Sequence, residues 1–349
     1  MNDIKIQKRH IGENHPAFIV AELSANHNQS LSTAIKTIKA MKKAGADAVK
    51  LQTYTPDTIT IDSEKKYFQI KQGTLWDGKT LYQLYMTAYT PWEWQPKLMN
   101  VAEDLGLICF STPFDKTAVD FLEDMKVPAY KVASFEITDL PLIEYLASKN
   151  KPVIISTGIA TIEEIGDAVY ACRKAGNNKI ALLKCTSEYP AVLKDINLKN
   201  IPLLARRFKT VIGLSDHTTG IAVPAAAVAL GASIIEKHFI LDRKAGGPDS
   251  AFSLEPDEFG RMVKIIRETE DALGNSEYQL TPGMEKNRRF SRSLFVVEDI
   301  PAGGIFTEMN IRSIRPGDGL SPKYMKKLLG KKASKKISKG TPLDWKLVK

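Results

Sequence analysis

Two histidines occupy similar settings late in the chain, in GLSDHT (213–218) and IEKHF (235–239). Each follows a short apolar run, so His217 and His238 fall at the ends of two neighbouring strands. Strand side chains alternate between faces, which groups Ser215 with His217 and Glu236 with His238. Two imidazoles with carboxylates nearby, at Glu236 and Asp249, form a candidate site for Mn²⁺, Co²⁺, Fe²⁺ or Mg²⁺. Two nitrogen ligands leave coordination positions for water and substrate, as Lewis-acid chemistry requires. A pair of core histidines satisfied by hydrogen bonds is the plain structural alternative.

Three lysines, Lys50, Lys131 and Lys184, also end apolar runs. A buried ammonium without a partner costs several kcal/mol. Pairing within the chain, such as Lys131 with Glu136, would satisfy any one of them. Three converging on one rim point instead to an anionic substrate. Thr112, Ser134, Ser156, Thr157 and Gly158 add hydroxyls and loop amides suited to phosphate. Glu22, Glu136 and His27 remain to move protons. A metal beside a phosphate cradle suits carbon–carbon bond formation, with an aldehyde polarised while the lysines hold an enol phosphate.

The elements that must position these groups form a repeating pattern. Apolar runs at 18–23, 48–51, 107–110, 129–133, 153–155, 180–183, 210–214 and 233–235 nearly all lead into polar residues. Helix-like stretches at 31–44, 91–105, 116–125, 140–148, 162–175, 198–208, 221–230 and 256–273 separate or follow them. Eight strand–helix units predict an α/β fold, a closed (β/α)8 TIM barrel with its active site at the strand C-termini. A polar lead-in before residue 18 suggests a hairpin. The excursion at 54–89, rich in aromatics including Trp76, reads both as a substrate lid and as a helix packed on the barrel.

Residues 1–274 are expected to form the barrel, 275–290 a linker broken by Pro282 and Gly283, and 291–349 a small domain of short strands and turns. Cys109, Cys172 and Cys185 show no metal or redox spacing and suit a reducing cytosol. Cys185 ends the sixth strand, where a small buried residue is favoured over a catalytic thiol. The segment 323–349 holds ten lysines and one acid, a surplus of nine that equals the chain's net charge of +9. Apolar residues interleave these lysines, so the segment reads as a folded, solvated face rather than a nucleic-acid arm. No secretory leader or membrane span is expected, since the longest apolar stretch, 220–235, is interrupted by Pro224 and Gly231.

The motifs AELSANH, VKLQT, STPFD, YKVAS, ISTGIA, KCTSEYP, GLSDHT, EKHF and GPDS resemble the sialic acid synthase family in order and spacing. QTYTPDTITI, GTLWDGKTLYQLY and AYTPWEW resemble its pseudaminic acid branch. Ser24 and Gln29 stand where the sialic acid branch usually has glycine, and Ser187 where it often has asparagine. These departures point away from N-acetylmannosamine as the sugar.

The resemblance implies a metal-dependent condensation of phosphoenolpyruvate with 2,4-diacetamido-2,4,6-trideoxy-L-altrose in the cytoplasm, releasing phosphate. N-acetylneuraminate and legionaminate synthesis are the neighbouring alternatives; a polyanion- or ice-binding module is a remote one. It implies His217 and His238 as metal ligands, for Mn²⁺, Co²⁺ or Mg²⁺, and Glu22 as the acid–base group. Lys50, Thr112, Lys131, Ser134, Ser156, Ser187 and Ser215 would contact phosphoenolpyruvate. Gln52, Glu136, Tyr189, Glu236 and Asp249 would contact the sugar or the metal's waters. The C-terminal segment resembles an antifreeze-like (SAF, β-clip) domain that delivers Arg315 to a partner's barrel in a domain-swapped homodimer.

Overall fold

A computed structural model describes residues 3–71, 73–274 and 277–349. The chain divides into two compact units, residues 1–274 and 275–349.

The first unit opens with an antiparallel hairpin, β1 (Ile4–Ile6) and β2 (Arg9–Ile11). Eight parallel strands follow: β3 (Phe18–Glu22), β4 (Ala48–Thr53), β5 (Ile108–Pro113), β6 (Tyr130–Val132), β7 (Val153–Ser156), β8 (Ile180–Cys185), β9 (Val211–Asp216) and β10 (Ile234–His238). They close in chain order, with β10 returning to β3. Such strands are buried on both faces, which explains their nearly continuous apolar character. Several outrun the apolar stretches that announce them. Pairing continues along the backbone while the inward side chains turn polar, so β4, β5, β8 and β10 carry their chemical residues within the ladder.

The helices of this unit are α1 (Leu31–Lys43), α2 (Pro56–Ile59), α3 (Leu81–Ala88), α4 (Gln95–Asp104), α5 (Lys116–Asp124), α6 (Leu140–Ser148), α7 (Ile162–Lys174), α8 (Asn200–Phe208), α9 (Ala222–Ala229) and α10 (Pro256–Leu273). Their boundaries are chemically marked. Ser30 caps α1, and Thr161 with Glu164 forms a capping box on α7. Their apolar faces pack on the outside of the barrel, as Ile38 and Met41 of α1 do.

Inside, the lower half of the barrel is filled by residues such as Phe18, Val20, Phe110, Ile154, Leu183 and Ile234. Ile4, Ile6 and Ile11 of the hairpin join that same cluster and are at most 4% exposed. The hairpin therefore closes the end at which the strands begin. Gly213 lies on β9, where a Cβ would sit 2.5 Å from the Ile234 carbonyl oxygen and 2.6 Å from Leu183 Cδ2. Only glycine fits there, which accounts for the first residue of GLSDHT.

The segment expected to be a linker contains an exposed helix, α11 (Pro282–Asn287). Thr281 accepts a hydrogen bond from Met284 N, and Pro282 takes the first helical position, where its missing N–H costs nothing. The residues read as breakers thus start a helix. The second unit then pairs β11 (Ser293–Val296) with β12 (Ile311–Ile314) and adds the single-turn α12 (Met325–Leu328). Leu294, Phe306, Leu328, Ile337 and Leu343 form its core, so the lysine-rich end is folded, with Leu328, Ile337 and Leu343 inside and Trp345 exposed. Among the described residues, no helix is long and apolar enough to cross a membrane.

Candidate active site

A cavity of about 320 Å³ opens above the polar layer at the strand C-termini. Its floor is a network of four charges. Glu22 and Lys50 are register partners on β3 and β4, and Lys50 Nζ lies 2.5 Å from Glu22 Oε2. The same ammonium stands 3.6 Å from Glu236 Oε1 and donates to Thr112 Oγ1 at 3.4 Å. Lys131 Nζ lies 3.9 Å from that Glu236 oxygen and donates to Ser156 Oγ at 2.6 Å and to the Val132 carbonyl at 3.0 Å. Ser215 Oγ donates to Glu236 Oε1 at 3.0 Å.

Electrostatics separates the two acids. Burial pushes the Glu22 carboxyl up, and Lys50 recovers only part of that shift, leaving it at about 7. Burial acts on Glu236 too, but Lys131 and Lys50 outweigh it and hold Glu236 below the usual range. Burial also opposes the charge on Lys50, yet Glu22 and Glu236 keep its pKa raised. One acid is therefore firmly ionised while the other is poised to carry a proton, the pattern that marks acid–base roles.

His217 and His238 meet on one side of this floor, ring centroids 5.3 Å apart. His217 Nδ1 lies 3.1 Å from the Thr186 carbonyl, so it carries the proton and leaves Nε2 as a free donor atom for a metal. His238 Nδ1 is buried with no hydrogen-bond partner, and burial foremost keeps that ring's pKa well below normal. A neutral ring with an orphaned nitrogen fits a metal ligand. The two carboxylates near these rings are otherwise engaged. Glu236 is held by the lysines, and Asp249 accepts from Ser24 Oγ and from Ala25 N.

The upper wall is aromatic. Trp76, from the excursion between β4 and α3, donates through Nε1 to the Pro248 carbonyl at 3.0 Å and lies 5.7 Å from the Tyr189 ring. Tyr189 in turn stands 4.6 Å from His217, and Phe252 packs on both Tyr189 and His238. Leu84 and Ala88 of α3 are buried and, together with Tyr54, Trp76 and Tyr85, line the cavity, so the excursion forms part of its wall. Glu136 faces the same space with Oε2 buried and unpartnered, its carboxyl pushed up to about 7 by burial against the pull of Lys131.

Of the expected site residues, Lys50, Gln52, Lys131, Ser134, Glu136, Ser156, Tyr189, Ser215, His217, Glu236, His238 and Asp249 all face this cavity. Glu22 and Thr112 lie in the layer just beneath, bonded to Lys50. Ser134 Oγ accepts from Gly158 N at 3.0 Å, and a Cβ on Gly158 would lie 2.8 Å from that hydroxyl and 2.1 Å from Ser187 Oγ, so a side chain there would displace both serines. Arg315 is exposed in the second unit.

Several expectations need correction. Lys184 does not join Lys50 and Lys131. Alternation on β8 turns Ala181 and Leu183 into the barrel interior and Cys185 to the cavity, leaving Lys184 to donate to the Cys185 carbonyl and Thr186 Oγ1. The acid within reach of Lys131 is Glu236, not Glu136. Thr157 spends its hydroxyl on the Leu183 carbonyl at 3.1 Å. His27 is no proton carrier for the cavity. It is fully buried, accepts from Gln29 N at Nδ1, faces Thr90 Oγ1 at Nε2, and is held near pKa 4 by burial.

Other residues gain weight. Cys185 is buried as expected, yet lines the cavity with Sγ 3.8 Å from His217 Nδ1. Burial raises its thiol, and an imidazolium at His217, a form excluded when that ring ligates a metal, pulls it down to about 7. Ser24 and Gln29 adopt φ of 44° and 54°, the left-handed region that favours glycine. Their side chains hold that loop: Ser24 to Asp249, and Gln29 Nε2 to the Tyr89 carbonyl at 2.7 Å.

Residues 37–278 match the NeuB family, and residues 291–349 match the SAF domain. The pseudaminic acid synthase of Campylobacter jejuni is 50% identical over 326 residues, covering 93% of this chain and 95% of that protein. The pseudaminic acid synthase of Helicobacter pylori is also 50% identical, covering 94% and 97%. Among solved structures, the N-acetylneuraminic acid synthetase of Leptospira borgpetersenii superposes with a TM-score of 0.74 at 31% identity, covering 82% of this chain and 95% of the other. The chain closes an eight-stranded parallel barrel and carries a SAF-domain match after it, and it belongs to the NeuB family.

Proposed function

We propose that this chain is a pseudaminic acid synthase, condensing phosphoenolpyruvate with 2,4-diacetamido-2,4,6-trideoxy-L-altrose and water to give pseudaminic acid and phosphate. The observation that carries the reading is 50% identity to pseudaminic acid synthases along 93% of the chain, combined with a paired-lysine floor beside two imidazoles. In this reading C3 of the enol attacks the sugar aldehyde, water adds to C2 of the resulting cation, and phosphate leaves with cleavage of its C–O bond.

Lys50 and Lys131 hold the carboxylate and phosphate of phosphoenolpyruvate, with Ser134, Ser156, Ser187, Ser215 and Thr112 as hydroxyl partners. Protonation of Glu22 leaves two ammoniums facing one carboxylate, a floor with one net positive charge for the anion. Glu22, poised at about 7, gives or takes the proton that the condensation moves. Glu136 offers an unpartnered oxygen to a sugar hydroxyl or acetamido N–H, while Gln52, Tyr189, Glu236 and Asp249 orient the rest of the sugar. His217 and His238 would hold a divalent ion, Mn²⁺, Co²⁺ or Mg²⁺, which supplies Lewis-acid polarisation of the aldehyde when bound.

In the same reading, Arg315 reaches the sugar from the C-terminal domain of a second copy in a homodimer. The reaction belongs to the cytoplasm, a setting supported by three free cysteines.

The deciding experiment is phosphate release from phosphoenolpyruvate with a panel of sugars. Preference for the L-altro diacetamido sugar supports the reading. Preference for N-acetylmannosamine or the legionaminate precursor overturns it.

A further inference from the structure

The chain has five histidines. Two line the cavity and His27 is buried in a loop. The other two, His10 and His15, stand together at the closed end of the barrel, ring centroids 5.5 Å apart. His15 Nε2 lies 2.8 Å from Asp3 Oδ2. Among the described residues, Asp3, His10 and His15 are the one group of three metal-binding side chains whose ligand atoms all fall within 4.8 Å of one another.

The local fold explains why they meet. In the hairpin Ile4 pairs with Ile11 and Lys5 with His10, so the isoleucines turn into the barrel and His10 turns outward. One step further along the ladder, Asp3 faces Gly12. A Cβ on Gly12 would lie 1.9 Å from Asp3 Oδ1, so the missing side chain is the space the carboxylate occupies. His15 N donates to the Gly12 carbonyl at 3.2 Å, a turn that brings its ring back over Asp3. The three groups come from three segments: the residue before β1, the second hairpin strand, and the lead-in to β3.

We propose that Asp3, His10 and His15 form a second metal site, suited to Zn²⁺, that clamps the hairpin to the start of the barrel. Two imidazole nitrogens and one carboxylate oxygen match the ligand types of a tetrahedral zinc site, with water as the fourth ligand. Mg²⁺ and Ca²⁺ prefer oxygen ligands, so this set discriminates against them. Zinc bonds of about 2.0–2.2 Å require the three atoms to draw closer. Asp3 and His10 are exposed and His15 is half-buried, so their side chains are free to turn inward. Lys5, across from His10, opposes a cation and moderates the affinity. An ion that binds only the folded chain stabilises it by mass action, here at the hairpin that closes the barrel.

The site is independent of the reaction assigned above and is tested by counting ions. The metal-stripped full-length protein carrying His217→Ala and His238→Ala is titrated with Zn²⁺ by calorimetry. One equivalent is expected, with a rise in Tm. Adding His10→Ala and His15→Ala should abolish both, and Asp3→Asn should weaken binding at least tenfold. If the background variant does not fold, the wild-type chain should bind two equivalents and His10→Ala/His15→Ala one, with turnover unchanged. An equal number of equivalents with and without His10 and His15 would overturn the proposal.

Discussion

Glu22 and Lys50 are partners in the β3–β4 register, and their charged ends meet at 2.5 Å with neither side chain more than 5% exposed. The carboxylate is nonetheless the group nearer to neutrality, because burial outweighs the pull of one ammonium. Glu22→Gln keeps the shape and removes the titration. Turnover should fall about 10²–10⁴-fold, the range for loss of a positioned acid or base. Phosphate-release kinetics measure this, and a kcat within threefold of wild type would exclude Glu22 as the proton carrier.

The imidazole pair makes the sharpest functional prediction. His217→Ala or His238→Ala should abolish phosphate release while leaving the far-UV spectrum and thermal unfolding near wild type. Chelation of the wild-type enzyme should do the same, reversibly. Full turnover after exhaustive chelation would refute the metal assignment.

Glu136 links the cavity to stability. The unfolded carboxyl has its ordinary value of 4.5, whereas the folded one is pushed up to about 7. The folded chain therefore holds a proton that the unfolded chain has released. Its stabilising contribution is complete below about 4.5 and is lost as pH rises through about 7. Glu136→Gln carries no such dependence. Relative to wild type it should gain on the order of 2 kcal/mol between pH 5 and pH 8, read by urea unfolding at the two values. A constant difference would show that the carboxyl titrates normally.

Trp76 and Tyr189 line the cavity, and in the proposed function they would offer apolar surface to a sugar with three methyl groups. Each buried methyl is worth about 0.8 kcal/mol. Trp76→Ala should therefore narrow the preference for the 6-deoxy diacetamido sugar over N-acetylmannosamine, seen as a changed ratio of kcat/KM values. An unchanged ratio would remove the indole from substrate selection.

Asp216 lies between two cavity residues in sequence but faces away from them. It pairs with Lys237 at 2.5 Å, both side chains fully buried, and Lys237 also donates to the Thr218 carbonyl. Lys237→Met would strand a buried carboxylate and should cost about 3–5 kcal/mol. Restoring neutrality with Asp216→Asn in the same chain should recover part of that loss in thermal unfolding.

Much of this was legible in the residues. Strands buried on both faces leave apolar runs, and a barrel places its chemistry where those runs turn polar, so eight runs with polar ends describe both the cylinder and its mouth. The same property hides which side each residue faces. In IALLKC nearly every position is apolar, and nothing local shows that Cys185, not Lys184, turns to the cavity. In GLSDHT the crowded Gly213 marks the inner face, and counting by twos reaches Ser215 and His217. The role of Glu236 between two lysines depends on distances across several strands, which spacing within one strand does not contain. Pro282 and Gly283 suit both an interruption of regular structure and the first turn of a helix; only the cap from Thr281 distinguishes the two.

The isoleucine plug closes the base of the cylinder, and the cavity lies at its other end. In the proposed pose phosphoenolpyruvate rests against the lysines and the sugar lies above it, nearer the opening. The ester must then enter ahead of the sugar. Phosphate, liberated at the dead end, has to wait behind the new nonulosonic acid or slip past it, so the order of departure is dictated by architecture as well as by affinity.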